Sequence, residues 1–260
     1  MLGGLDHVRI AVPDLAAAIA ACERLGFTVT PPRRDAAGTP SAHLMLARDH
    51  VELIERPGPS LAGLVLSCDD ATRTAQAWRR AGLFTTPTTA RRRELAGNAP
   101  AVAFAEVAPE PAEVEGLPIM AAAHLTPEAL RRPDWLRHAN GADRIAALTV
   151  VVAAPAACAA PLEKLVGAAA LTWTDRILAV RLGHVALLLV DDADVELLHA
   201  AVPASPPPAV AALSFGVGDP AQVARNLAAR GVAHRRRPDG SVGVDLDPAL
   251  GCLLEFKATA

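Results

Sequence analysis

A twelve-residue step from aspartate to glycine occurs three times in this chain: Asp14 to Gly26, Asp70 to Gly82 and Asp219 to Gly231. Each time an apolar, alternating run comes immediately before it. In the first copy, LDHVRIAV from Leu5 alternates at period 2 and reads as a strand, Asp14 is a natural N-cap, and LAAAIAACERLG is an apolar-periodic helix closed by Gly26. Three short extended runs follow, beginning at Phe27, Ala42 and His50. The unit is therefore β-α-β-β-β. A further copy, from Leu148 to Gly167, keeps the grammar without an acidic cap, and its closing run HVALLLV from His184 matches HVELIE from His50. Four copies fill the chain, so the fold must be an internally repeated α+β one rather than a single continuous sheet sandwich.

Pro-rich or acidic connectors separate the copies: RPGPS from Arg56, APEPAEVEG from Ala108 and AVPASPPP from Ala201. They read as surface linkers. The stretch HLTPEALRRPDWLRHANGAD from His124 breaks the repeat and is expected to cross from one half of the molecule to the other.

Composition removes several classes of function. Of 260 residues, 52% are hydrophobic and 20% charged, which supports a packed core and excludes a disordered chain. A net charge of −3 supplies no field to attract nucleic acid or an anionic membrane, so neither is expected as a partner. Asp6, His7 and Arg9 interrupt the N-terminal apolar run, and no uncharged run is long enough to span a bilayer, so no signal peptide or membrane span is expected. Cys22, Cys68, Cys158 and Cys252 lack CxxC spacing and mostly lie in apolar runs, which predicts reduced buried thiols and a cytoplasmic protein. Dinucleotide, Walker, GxSxG and HExxH motifs are absent.

Six segments together carry a family likeness. The opening LDHVRIAVPDL, the helix ending in LGF, the Gly38-Thr39 turn before AHLML, the strand HVELIE, the crossover HANGADRIAAL and the ending GCLLEF resemble glyoxalase-like proteins of the vicinal oxygen chelate superfamily. That superfamily includes glyoxalase I, bleomycin-resistance proteins and extradiol dioxygenases. The resemblance implies four βαβββ modules paired into two incomplete barrels. The expected N-terminal half is 1–143, with modules 5–56 and 61–125, and the C-terminal half is 144–260, with modules 147–192 and 209–257. One chain then holds both halves of each groove, so a monomer suffices and a homodimer is allowed.

The same resemblance implies metal ligands at a His on a module's first strand and a Glu on its last strand. His7 and Arg9 share one face of the first strand, and His50 and Glu52 one face of the last. The positions equivalent to His7 in the other copies are Gly63, Ala147 or Leu148, and Ala212, none of which can bind a metal. Glu52 has a counterpart only in Glu255, while the second copy offers His124. The expected set is therefore one divalent ion (Zn, Ni, Mn or Fe) on His7, Glu52 and Glu255, formed if the first module pairs with the fourth. Glu52 and Glu255 would be the proton-moving carboxylates, with Arg9, His43 and His124 contacting substrate.

Two functions of different class follow. The first is a metal-dependent lyase or isomerase acting on a small carbonyl compound in the concave groove. The alternative is a non-catalytic small-molecule binding or sequestration protein of bleomycin-resistance type, for which an incomplete ligand set is no obstacle. Extradiol cleavage ranks below both, because the C-terminal half lacks first-strand histidines. Each residue also has a purely structural reading. His7 can be a half-buried histidine bonded to a carbonyl, Arg9 and Glu52 an internal ion pair, His50 and His184 exposed strand starts, and His124 and His138 turn or capping residues. The runs Arg91 to Arg93 and Arg235 to Arg237 read as solvated surface unless one reaches an anionic group.

Overall fold

A computed structural model describes the chain except for residues 1, 36, 59, 94–100, 200–204, 245–248 and 260. The Arg93 side chain and much of the connector after His199, both singled out above, lie outside the described residues.

The three aspartates cap helices as the spacing predicts. Asp14 accepts from Ala17 N, Asp70 from Arg73 N and Asp219 from Ala221 N, at the starts of α1 (Leu15–Arg24), α2 (Ala71–Arg80) and α6 (Pro220–Ala229). The uncapped copy begins α4 (Pro155–Val166) with a proline, which has no N–H to leave orphaned there. Two single-turn helices, α3 (Pro127–Leu130) and α5 (Val195–Leu198), complete the set. After α1 the chain reverses at Gly26, whose φ of +85° is a left-handed step that glycine takes without strain.

The strands form two eight-stranded sheets of identical plan. The first comprises β1 (Leu2–Val12), β2 (Arg33–Arg34), β3 (Pro40–Met45), β4 (His50–Glu55), β5 (Leu61–Cys68), β6 (Thr89–Arg93), β7 (Val102–Val107) and β8 (Ile119–His124), in the order β2-β3-β4-β1-β5-β8-β7-β6. The second comprises β9 (Ala142–Val151), β10 (Leu171–Thr174), β11 (Ile177–Leu182), β12 (Val185–Val190), β13 (Ala209–Val217), β14 (Arg235–Arg236), β15 (Val242–Val244) and β16 (Leu253–Ala258), in the order β10-β11-β12-β9-β13-β16-β15-β14. In each sheet a module's first and last strands run parallel, and the two modules meet along an antiparallel central pair, β1 with β5 and β9 with β13. These are the two half-barrel pairs of the vicinal oxygen chelate fold.

The pairing corrects one expectation. The first module closes with the second and the third with the fourth, so Glu255 on β16 belongs to a different sheet from His7 and Glu52. The short segment from the end of β4 to the start of β5 lets sequence-adjacent modules pair along β1 and β5, whereas pairing first with fourth would close one central edge across the whole chain.

One face of each sheet is covered by its helices, and the halves meet through the same core. Phe27 packs against Phe215 and Phe256, and Trp78 donates its indole N–H to Leu165 O. The crossover is stitched to the first half by His138, which faces Met45 O at 2.9 Å and accepts from Thr28 N at 3.0 Å. Across the same boundary, Asp49 accepts from Ile145 N and pairs with His184 Nε2 at 2.6 Å, so His184 is a joint rather than a bare strand start. Among the described residues no helix is long and apolar enough to cross a membrane.

Candidate functional site

The opposite face of the N-terminal sheet is concave and carries the chemistry. Because β1 and β4 run parallel with His7 beside His50 and Arg9 beside Glu52, four groove-facing positions are occupied by ionisable or metal-ligating side chains. The rings of His7 and His50 stack with centroids 4.2 Å apart. His50 is 5% exposed, which overturns its reading as an exposed strand start. It shares the face of Glu52 by simple alternation, so the groove position was implied by the pattern itself.

A bulge adds Asp6. Between Leu5 and His7 the register advances two residues on β1 against one on β5, so strict alternation fails and Asp6 turns to the groove with His7. Asp6 Oδ1 lies 2.6 Å from His7 Nδ1, and Asp6 Oδ2 lies 2.9 Å from His124 Nε2. Since an ionised carboxylate only accepts, His7 donates from Nδ1 and presents Nε2 to the groove as an acceptor. Burial opposes ionisation of Asp6, but the hydrogen bonds from His124 and His7 outweigh it and hold the carboxyl well below the usual range. Burial pushes both His7 and His50 below the ordinary histidine value, keeping these imidazoles neutral.

Glu52, 3% exposed, is the hub of the groove. Arg9 Nε donates to Glu52 Oε2 at 3.0 Å and to His7 Nε2 at 3.3 Å. His7 Nε2 and His43 Nε2 stand 3.7 Å and 3.8 Å from the two carboxylate oxygens. Arg33, from the two-residue strand β2, donates through Nε to His43 Nε2 at 3.1 Å and reaches Glu52 Oε1 at 3.7 Å. Arg9 fits because its partner across β5 is Gly63. A Cβ built there would come within 2.9 Å of Arg9 Cδ. The residue that stands where a second first-strand histidine belongs thus makes room for a guanidinium instead.

His7, Glu52, Arg9, His43 and His124 therefore do come together, joined by Asp6, His50 and Arg33, which the sequence reading missed. Glu255 does not. It is fully buried in the C-terminal sheet, where Ser214 Oγ donates to it at 2.6 Å, Lys257 Nζ lies at 3.1 Å and His199 Nδ1 at 3.4 Å, with Arg237 closing the ring. The three-ligand set of His7, Glu52 and Glu255 is thus not assembled, because sheet topology separates its members.

Two spaces adjoin the cluster. A water-sized hole of about 30 Å³ lies among His7, His50, Glu52, Phe104 and His124. Beyond Arg9 and Arg33, which border both spaces, opens a chamber of about 730 Å³.

Comparison with known proteins agrees with this architecture. A family model described as a glyoxalase-like domain matches residues 5–166, and the chain belongs to that family, within the vicinal oxygen chelate superfamily. Among solved structures it is similar to a mutant of 4-hydroxymandelate synthase from Streptomyces coelicolor (17% identity, TM-score 0.62, covering 100% of this chain and 95% of that one). It is also similar to a Mn(II)-bound glyoxalase from Novosphingobium aromaticivorans (12% identity, TM-score 0.61, 99% and 82% covered). Homoprotocatechuate 2,3-dioxygenase from Arthrobacter globiformis is a third (17% identity, TM-score 0.59, 99% and 80% covered). No curated protein matches the chain by sequence. At these identities the structural likenesses establish the fold.

The residues present suit a divalent ion. Asp6, His7 and His50 each offer a donor atom, all within 4.8 Å of one another, and among the described residues they are the group of three that does so. Two imidazole nitrogens and a carboxylate oxygen are borderline-to-hard ligands of the kind that zinc, manganese and iron take.

Proposed function

We propose that this protein is an enzyme of lyase or isomerase type that acts on a small carbonyl compound in the N-terminal groove, with one divalent ion held by Asp6, His7 and His50. One observation carries the reading. At the same register in the two sheets, the N-terminal half places His7 beside His50 and the C-terminal half places Ala147 beside Ala186. A ligand pair on one side only, buried and kept neutral, is hard to account for as packing. A bound ion would supply a Lewis acid beside a carbonyl oxygen. Within the chain, Glu52 is the carboxylate placed to move a proton, Arg9 orients it by donating to Oε2, and Asp6, itself held by His124, fixes the tautomer of His7 by accepting from Nδ1.

A second reading, a small-molecule binder without metal or turnover, is favoured by Arg9 itself, whose guanidinium already bonds both His7 Nε2 and Glu52. The four buried thiols, none of them in a disulfide, support a reducing, cytoplasmic setting. Each groove closes within one chain, which supports a monomer.

The discriminating experiment is calorimetric titration of chelator-treated protein with Mn²⁺, Zn²⁺, Ni²⁺ and Fe²⁺. One saturable site is expected, weakened by about 10-fold to 100-fold in Asp6→Asn and His50→Ala. Absence of saturable binding for all four ions would overturn the metal reading in favour of the binder.

A further inference from the structure

The chamber outside the histidine cluster has a charge the rest of the molecule lacks. The chain as a whole is net −3, yet among the described residues Arg9, Arg33, Arg34, Arg91 and Arg92 line this one space together with the carboxylates of Asp35 and Glu106. Both carboxylates are engaged locally. Glu106 Oε1 takes Arg91 Nε at 2.7 Å, and Asp35 Oδ1 accepts from Ala37 N and Thr39 N, each at 2.9 Å, inside its own turn. Counting also Glu52, which Arg9 and Arg33 reach from the neighbouring hole, five positive groups stand against three negative ones among the described residues, so positive charge is in excess.

Arg34, Arg91 and Arg92 are exposed, so no core packing calls for them. Like charges gathered in a concavity repel one another and destabilise the empty protein, while low-dielectric walls concentrate their field on whatever enters. The volume, about 730 Å³, lies in the range of small-molecule sites. Guanidinium groups bind planar or tetrahedral oxyanions with paired N–H donors. Arg9 and Arg33 stand at the boundary between chamber and cluster, so a ligand anchored in the chamber reaches Glu52 and the histidines with its other end.

We propose that the substrate is a small acid: its oxyanion, a carboxylate or a phosphate, is held by the arginines of the chamber, chiefly Arg33, Arg34 and Arg92, while its carbonyl faces Arg9 and Glu52. This rests on the reading that the N-terminal groove is the substrate site, and it names the class of substrate that the groove accepts.

The test uses full-length, metal-free protein and calorimetry with three probes: pyruvate, hydroxyacetone, which has the same size and a carbonyl but no charge, and inorganic phosphate. Pyruvate should bind at least about tenfold more tightly than hydroxyacetone, and its affinity should fall at least tenfold in Arg92→Ala and in Arg34→Ala, whose exposed positions leave the melting temperature unchanged. Raising salt from about 0.05 M to about 0.5 M should weaken pyruvate and leave hydroxyacetone unaffected. Competition by inorganic phosphate would support the proposal and extend the class to phosphate esters. Equal affinity for the charged and neutral carbonyl compounds, or pyruvate binding unaffected by both substitutions, would overturn it. The two proposals fail separately: acid binding in a protein that takes up no divalent ion removes the metal and keeps the acid, and the reverse result removes the acid alone.

Discussion

The two sheets share one topology and use it in opposite ways. On the N-terminal side, the register that brings His7 to His50 and Arg9 to Glu52 borders a water-sized hole, beyond which Arg9 and Arg33 face an open chamber. On the C-terminal side the same register brings Ala147 to Ala186 and Thr149 to Leu188, and the groove is filled from within. His199, at the end of α5, contacts Thr149 Oγ1 at 2.9 Å and Glu255 at 3.4 Å. Val195 of α5 is buried against Val151, Val190, Ala209 and Ala211. The difference shows how a duplicated fold separates stability from chemistry. One groove spends its polar residues on a closed network, and the other leaves them facing a cavity.

The largest expected effect lies in the closed groove. Glu255 is fully buried among Ser214, Lys257, Arg237 and His199. Burial alone would raise its pKa, but the hydrogen bonds from His199 and Ser214 and the charge of Lys257 hold it far below its ordinary value of 4.5. Glu255→Ala should cost about 2–5 kcal/mol, read as a lower urea midpoint, because it opens a cavity in a fully buried position and leaves the buried Ser214 Oγ and His199 without their acceptor. A carboxyl with a depressed pKa contributes stability that is present above the unfolded value and lost as pH falls through the folded one. The gap between wild type and variant is therefore full above pH 4.5 and narrows in stronger acid. Pyruvate binding at the other groove should be unchanged. If Glu255→Ala abolishes that binding in protein that is still folded, the division between a structural and a functional groove is wrong.

A smaller effect sharpens the N-terminal side. Gly63→Ala places a methyl group where Arg9 Cδ now lies, so Arg9 must leave Glu52 and His7 Nε2. The overpacking should cost about 1–3 kcal/mol. Its effects on ligands should have opposite signs: pyruvate affinity falls as Arg9 is displaced, and divalent-ion affinity rises as a guanidinium charge moves away from the donors. Calorimetry on the variant measures both. A fall in both affinities would show that Arg9 supports the donors rather than competing with an ion.

The repeat grammar made most of the fold legible. The Asp-to-Gly step located three helices and their caps, and alternation put His7, Arg9 and Glu52 on the groove. Module pairing was not legible, since every module carries the same apolar edges, and the carboxylate that drew Glu255 into the expected site serves a network closed by Lys257 and by Arg237 in a distant turn. Asp6 was hidden by a bulge, which no period-2 pattern encodes. Arg33 was hidden because a two-residue strand leaves no periodic signal. His50 was visible beside Glu52, and was set aside on its match to His184. That match is offset by two residues: by register the counterpart of His50 is Ala186, beside Ala147, while His184 lies two residues earlier and binds Asp49 across the joint.

The comparison of grooves holds only while the halves stay docked, and His138 at the crossover tests that docking with the smallest effect. Its Nδ1 accepts from Thr28 N and its Nε2 donates to Met45 O, so the neutral ring is fully used and a second proton would displace Thr28. Burial lowers its pKa from 6.5, outweighing the bond to Met45. With the folded value depressed, the unfolded chain takes up the proton first, so stability drops as pH falls below 6.5 and is recovered as pH rises. His138→Asn loses part of the packing at every pH but also loses this proton uptake. The urea midpoint of wild type should therefore fall more steeply than that of the variant between about pH 6.5 and pH 5, whatever the other buried histidines contribute to both. Parallel midpoint curves would show that His138 takes up its proton equally in the folded and unfolded states and that the crossover does not couple the docked halves to pH.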